Sequence, residues 1–338
     1  MITKVSLRNF RGIVSGDVEL SPLTIIVGPN NSGKTSILEA LLLSHGLGEL
    51  FNGLSVPDLL MELHRVLDSK SLKHLVYNYG SNVDRVCVSY HINGDVVSLI
   101  MVPDALGLTF YVGKGIDADE ALKLSSDELN KLEVVSSLKY DGSPGLTTSR
   151  TLTIFLSKAL FIRYDILKVA HEYLYHVWED LTSRRLTSRV ATWISRTVDE
   201  DYIDLTAEPF SGKPCINLYR SDKVRIRLGD LGDGTHMLVV ARLLSEYLDP
   251  DLILWDDVES HMNPSTLTIL AEWLSELVSK GKQVVITSHS LEAVNAITSI
   301  EHKAVIVRVS RKGGVLEAKY YSSSDVEEFR KLGVDIRL

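Results

Sequence analysis

The segment Gly28-Pro29-Asn30-Asn31-Ser32-Gly33-Lys34-Thr35 restricts the possible folds of this chain more than any other. It lies between an apolar run with strand character, residues 23–27, and an apolar helical pattern over 36–43. Its spacing is G-x-x-x-x-G-K-[ST] without deviation, in the strand, loop, helix order that the pattern requires. Gly28 and Gly33 permit backbone geometries that a β-carbon forbids, so successive N–H groups can converge on one anion. The helix starting near Lys34, with Ser36 in its first turn, points its positive end at the same anion. Lys34 is expected to reach the β- and γ-phosphates of a nucleotide, and the Thr35 hydroxyl to ligate Mg²⁺. The expected ligands are therefore ATP and Mg²⁺.

Such a loop needs a carboxylate on a neighbouring strand. Leu252-Ile253-Leu254-Trp255-Asp256-Asp257 is an apolar strand ending in adjacent acids. A strand of this kind is buried, which fixes Asp256 at the sheet edge where ligands bind. Asp256 is expected to hold Mg²⁺ through water, and Asp257 to face the γ-phosphate and orient or deprotonate a water. The alternative for the two acids is a solvated strand end.

Elsewhere the pattern alternates strands and helices, which implies an α/β sandwich around a mostly parallel sheet. Strands are expected over 83–92, 95–102 and 108–112, with a turn at Asn93-Gly94. A helix is expected over 117–132 and strand character over 151–161. The longest helical stretch, 163–198, reads as two helices broken near Thr182-Ser183. The expected division is 1–162 for the N-terminal part of the ATPase lobe, with an antiparallel β portion, 163–200 for an inserted helical lobe, and 201–338 for the rest.

Composition narrows the function classes. The net charge is −8, so the chain is not coated in positive charge for nucleic acid, although a local patch remains open. Only Cys87 and Cys215 occur, which excludes a disulfide framework or a Cys-rich zinc site and fits a cytoplasmic setting. The first residues lack the apolar core of a signal peptide, and no run approaches the length of a transmembrane segment. Gln283 is the only glutamine, a depletion that points weakly to a thermophile.

Four segments in order, residues 28–35, Leu231-Gly232-Asp233-Gly234-Thr235, residues 252–264 and Ile286-Thr287-Ser288-His289, resemble the ABC-type P-loop ATPases, and within them the SMC/RecF/OLD-like group. The opening LRNFRGI is similar to the first strand of those ATPase heads, in which a basic residue at the position of Arg11 approaches the nucleotide. The resemblance implies that His289 senses the γ-phosphate, although a strand-end histidine bonded to backbone is the alternative. It implies that Gly232, Asp233, Gly234 and Thr235 contact ATP held by an opposite subunit, hence an ATP-dependent homodimer. It fades between about residues 46 and 228.

The chain departs from the family pattern at three places. Asp257 stands where the family has a catalytic glutamate, with Glu259 two residues on as a substitute. Gly232 replaces the signature serine. No glutamine is available for the loop that couples nucleotide to the helical lobe, so another residue must serve. His261 and Asn263 read equally as interface residues and as a turn before Pro264. Arg184, Arg185 and Arg189 form a basic cluster that is either a solvated face or a DNA contact, and Tyr173, Tyr175 and Trp178 read as core. The functional expectation is an ATP-driven dimerisation switch in DNA repair, genome maintenance or antiviral defence, acting with DNA and a separate nuclease or effector protein. A Toprim nuclease domain does not fit in the residues after His289. The alternatives are a weakly hydrolytic scaffold and a transporter ATPase. The long separation between Thr35 and Leu231 argues against the transporter.

Overall fold

Short apolar runs without polar alternation form one end of the main sheet. The computed structural model describes all residues except 52, 66–68, 81, 146–155, 199 and 338. Its main sheet has 12 strands. At one end Ala159–Ile162, Leu252–Trp255, Gln283–Thr287, Leu23–Val27 and Val305–Lys312 run parallel in that order. Leu23–Val27, Leu252–Trp255 and Gln283–Thr287 are buried at every position, as continuous apolar strands of a parallel sheet are. Lys34–Leu42 packs on Leu252–Trp255 and Gln283–Thr287, and Pro264–Ser279 also packs on Gln283–Thr287.

The sheet continues through Val315–Ser322, Ile13–Glu19, Ile2–Phe10, Val86–Ile92, Asp95–Pro103, Gly107–Lys114 and Glu133–Lys139. Here the pairings are antiparallel, apart from the parallel bridge of Val315 to Ser15. The result is a mixed sheet of an α/β fold, parallel in the half that carries Leu23–Val27 and Leu252–Trp255 and antiparallel in the N-terminal portion.

Local capping overrides two expected elements. The single helix over 117–132 is instead Ala118–Lys123 and Ser126–Leu129, because Ser125 caps the second piece. Its hydroxyl accepts the Glu128 N–H, and the Glu128 carboxylate returns to the Ser125 N–H. The stretch 163–198 forms three helices rather than two: Leu167–His176, Trp178–Ser183 and Leu186–Val198. The breaks fall at Val177 and at Arg184-Arg185, where Arg185 takes a left-handed φ of 56°. The strand expected over 151–161 occupies Ala159–Ile162, and residues 151–155 lie outside the described set. Glu133–Lys139 is a strand that sequence reading did not identify.

A separate sheet of Tyr202–Phe210, Lys213–Arg220 and Arg225–Arg227 packs on Leu186–Val198. Among the described residues no helix is long and apolar enough to cross a membrane. Because these five strands at one end of the sheet are parallel and in register, Ile162 beside Trp255, Trp255 beside Ile286 and Thr287 beside Ile26, the residues that follow four of them emerge on one side. Those residues are Gly28, Arg163, Asp256 and Ser288.

Candidate functional site

On that side the loop over 28–35 leads into Lys34–Leu42. Gly28 has φ 148°, and a β-carbon there would lie 2.3 Å from the Val309 carbonyl oxygen. Gly33 has φ 101° and Asn31 φ 63°, so the loop curls around its own amides. The Lys34 ammonium is buried and donates to the carbonyls of Gly28 at 2.9 Å and Pro29 at 3.1 Å. Burial lowers its pKa, against the pull of Asp257, Asp256 and Glu259. The Ser32 hydroxyl is buried without a partner, and the Asn31 amide oxygen accepts from Arg311 at 2.7 Å. Pro29 and Asn30 complete the loop, and Ser36 lies in the first turn of the helix.

Asp256 is 3% exposed. It accepts from Thr35 Oγ1 at 3.1 and 3.3 Å and from Thr287 Oγ1 at 2.7 Å. Burial raises its pKa, and the Thr287 hydrogen bond opposes that rise. One hydroxyl and one carboxylate facing each other are the hard oxygen donors that Mg²⁺ takes while keeping several waters. A buried ammonium, an unpartnered hydroxyl and a glycine cradle suit phosphate oxygens. The residues present fit both groups.

Asp257 follows with a left-handed φ of 51°, its N–H bonded to Thr287 Oγ1 at 2.8 Å. The turn brings its carboxylate 3.6 Å from His289 Nε2. Glu259 faces elsewhere: its Oε1 accepts the His289 N–H at 2.6 Å, while Oε2 is buried without a partner. The His289 carbonyl accepts from Arg337. Thr287 and Arg337 escaped sequence reading, although Thr287 stood two residues before the noted His289.

Arg11 takes φ 53° and donates to Glu39 Oε2 at 2.6 Å. Glu39 is fully buried one helical turn beyond Thr35, and its other oxygen meets His64 Nε2 at 2.6 Å. Arg11, His64, Lys73, Tyr77 and Arg311 line a cavity of about 850 Å³. Arg311 joins this cavity to the loop through Asn31.

The second glycine segment lies at the start of a long helix. Gly232 caps Asp233–Leu248 with φ 88°, so Asp233, Gly234 and Thr235 form its first turn. Gly232 and Asp233 are exposed, while Gly234 and Thr235 are buried. A β-carbon at Gly234 would lie 2.3 Å from the His261 carbonyl oxygen, so this turn packs directly on the loop after the acids. His261 Nδ1 is 3.6 Å from Asp233 Oδ2. Asn263 caps Pro264–Ser279 by accepting the Thr266 N–H at 2.9 Å, a turn role that the sequence left open.

The basic cluster is largely engaged within the chain. The Arg184 guanidinium lies 5.1 Å from the Tyr247 ring centre, and Arg189 pairs with Glu246 at 2.6 Å. Arg185 is exposed. Tyr173 packs on Phe51 with ring centres 5.3 Å apart, Trp178 is half-buried against the core, and Tyr175 is exposed at 38%.

Comparison with known proteins finds ATPase relatives. The family model described as "AAA ATPase domain" matches residues 1–141, and "AAA domain, putative AbiEii toxin, Type IV TA system" matches residues 155–295. The chain is similar to an uncharacterized protein of Methanocaldococcus jannaschii, 30% identical over 115 residues, covering 32% of this chain and 99% of that one. DNA replication and repair protein RecF of Aliivibrio fischeri is 47% identical over 47 residues, 13% of each chain. The OLD nuclease of Thermus scotoductus is 49% identical over 41 residues, 12% of this chain and only 8% of that protein. Among solved structures, an SMC head bound to the C-winged helix domain of ScpA superposes with TM-score 0.62 at 17% identity, covering 96% of this chain and 99% of that one. The SMC head domain from Thermotoga maritima superposes with TM-score 0.51 at 15% identity, covering 95% and 99%. These ATPase families act on ATP with a divalent metal, the ligands that the loop over 28–35 and Asp256 fit. The chain belongs to the SMC/RecF/OLD-like group of P-loop ATPases.

Proposed function

We propose that this chain hydrolyses ATP slowly and uses the nucleotide as a switch for pairing with a second copy of itself. One observation carries the reading: Thr35 Oγ1 meets Asp256 at 3.1 Å at the same sheet edge as the buried Lys34 ammonium. Thr35 and Asp256 would hold Mg²⁺, which neutralises phosphate charge when bound. Lys34 would exchange its two carbonyl partners for phosphate oxygens, and main-chain N–H groups of Gly28 and residues 30–36 would bind the rest.

Asp257 is the group that orients the attacking water, with His289 beside it. An aspartate is one methylene shorter than the family's glutamate, and misplacement on the order of 1 Å costs about a hundredfold in rate. Glu259 acts on the same site indirectly, by holding the His289 main chain. Exposed Gly232 and Asp233 put the positive end of the Asp233–Leu248 helix at the surface, suited to a phosphate held by an opposite copy. Arg11 supports the nucleotide side through Glu39 and the adjoining cavity.

The partners rest on the relatives. A RecF of DNA replication and repair and an OLD nuclease make DNA, with a separate nuclease or effector protein, the proposed targets, and DNA repair, genome maintenance or antiviral defence in the cytoplasm the proposed setting. A weakly hydrolytic scaffold is the second reading, favoured by Asp257 alone.

Steady-state phosphate release and calorimetric Mg-ATP binding decide between them. Wild type is expected to turn over slowly, Asp257→Glu faster, Asp257→Asn not at all while still binding. Lys34→Ala is expected to lose binding. Turnover indistinguishable from Asp257→Asn in both wild type and Asp257→Glu selects the scaffold. Unchanged binding by Lys34→Ala removes the nucleotide reading altogether.

A further inference from the structure

Arg163 occupies the sheet edge beside the metal-side acid, where no sequence feature had singled it out. Ala159–Ile162 pairs in parallel with Leu252–Trp255, and the Asp256 N–H donates to the Ile162 carbonyl at 3.0 Å. Residues 163 and 256 therefore leave neighbouring strands at the same level. Arg163 Nη1 lies 3.8 Å from Asp256 Oδ2, and its Nε lies 3.0 Å from Asp165 Oδ2.

The next residue faces another part of the molecule. The Tyr164 ring centre is 4.5 Å from that of His261, and the neighbouring Asp233 raises the pKa of its hydroxyl. Asp233 opens the helix Asp233–Leu248 and lies 3.6 Å from His261 Nδ1. Gly234 packs against the His261 main chain. One dipeptide thus meets the buried metal-side carboxylate with its first side chain and, through the His261 ring, the glycine-turn helix with its second.

A buried carboxylate needs a compensating positive charge. Thr35 and Thr287 offer Asp256 hydrogen bonds without charge, whereas Arg163 offers charge without a close hydrogen bond. At 3.8 Å and only partly buried, such a partner is held weakly enough to be displaced. A divalent cation at Thr35 and Asp256 competes for the same carboxylate.

We propose that Arg163 is a positioning residue that reports the occupancy of the phosphate and metal site to the glycine-turn helix. It stays on Asp256 while that carboxylate is uncompensated and is freed when the carboxylate is compensated. Tyr164 and His261 then carry the shift to Asp233. This supplies the coupling residue that the sequence lacked as a glutamine, and it rests on the ATPase reading above.

Two measurements on the full chain test it, at a dilution where light scattering reports single chains, so that contacts between copies do not contribute. The first is the Mg²⁺ dependence of ADP binding by calorimetry. The second is amide hydrogen exchange over residues 164–166 and 231–237 with and without Mg-ADP. Wild type is expected to bind and to change exchange in both segments. Arg163→Ala is expected to bind Mg²⁺ more tightly in the ternary complex, by up to about tenfold, because a competing cation is gone. It should also lose the exchange response at 231–237.

Arg163→Lys keeps the charge and should restore the wild-type Mg²⁺ dependence. Tyr164→Ala removes the ring from His261 and leaves Arg163 in place, so it should keep wild-type Mg²⁺ dependence and lose only the response at 231–237. Unaltered Mg²⁺ dependence in Arg163→Ala, or an unaltered exchange response in both Arg163→Ala and Tyr164→Ala, overturns this inference alone. A wild-type chain that binds no Mg-nucleotide overturns it together with the ATPase reading.

Discussion

At the scale of single residues, the two glycines of the second loop serve by different means. Gly234 is needed for space, because a β-carbon would sit 2.3 Å from a main-chain oxygen of the His261 loop, which cannot yield as a flexible side chain does. Gly232 is needed for conformation: nothing lies within 4 Å of a β-carbon there, but its φ of 88° strains any other residue. Gly234→Ala should therefore cost about 2–3 kcal/mol, and Gly232→Ala about 1–2 kcal/mol. Urea unfolding of the two variants checks the order, and equal losses would contradict it. A serine at position 232 would return the hydroxyl of the family pattern only by accepting the same strain. Thr287 is the residue that organises the acids, since its one hydroxyl donates to Asp256 and accepts from the Asp257 N–H. A threonine ending an apolar strand carries no signal of that double use.

At the scale of elements, capping decides where helices begin. Asn263→Ala removes the side chain that accepts the Thr266 N–H and also bonds the Ser265 and Thr266 hydroxyls. It should cost about 1 kcal/mol in unfolding free energy, with ATP binding unchanged. Leu167–His176 meets the Asp233–Leu248 helix through a pair of imidazoles, His171 Nδ1 and His236 Nε2, 3.2 Å apart. Burial, aided by the nearness of His236, depresses the His171 pKa to about 4. The unfolded chain takes up that proton first, near the ordinary value of 6.5. Stability is therefore intact above pH 6.5, falls as pH drops towards 4, and levels off below that. His171→Gln should flatten the stability profile in this window by up to about 1.4 kcal/mol per pH unit, measured by urea unfolding at several pH values. His74, depressed to about 4 mainly by burial, titrates in the same window and leaves part of the slope in place.

Arg242 links the elements around it. It is stacked 4.4 Å from the Trp193 ring centre and 5.7 Å from that of Trp273, and it pairs with Glu246 and Glu276. One cation thereby ties the Leu186–Val198 helix of the lobe to Pro264–Ser279 of the main layer.

At the scale of the whole molecule, the outward-facing glycine turn carries a prediction about assembly. Asp257→Asn with Mg-ATP should pass from one copy to two in light scattering, and Gly234→Ala placed in the same background should remain single. A lasting monomer in the first case would remove the pairing switch while leaving nucleotide binding intact. Most of the sheet's parallel half was legible beforehand, because strands buried on both faces announce themselves as uninterrupted apolar runs. The helices over 118–129 and 167–198 were harder to read, since their breaks depend on a serine cap and a left-handed arginine rather than on proline or glycine.

The amino-acid sequence by itself determined the phosphate loop and the strand-end acids, because each works through neighbours in the chain. A glycine, a lysine and a threonine within eight positions need only a strand and a helix on either side. Tertiary structure alone decided which groups answer them: Arg163 and Thr287 at Asp256, Glu259 beneath His289, and Glu39 and His64 around Arg11. Those partners lie on other strands and helices, and parallel register brings their ends together at one edge. Charge compensation across such an edge depends on distances in space, which spacing along the chain does not record.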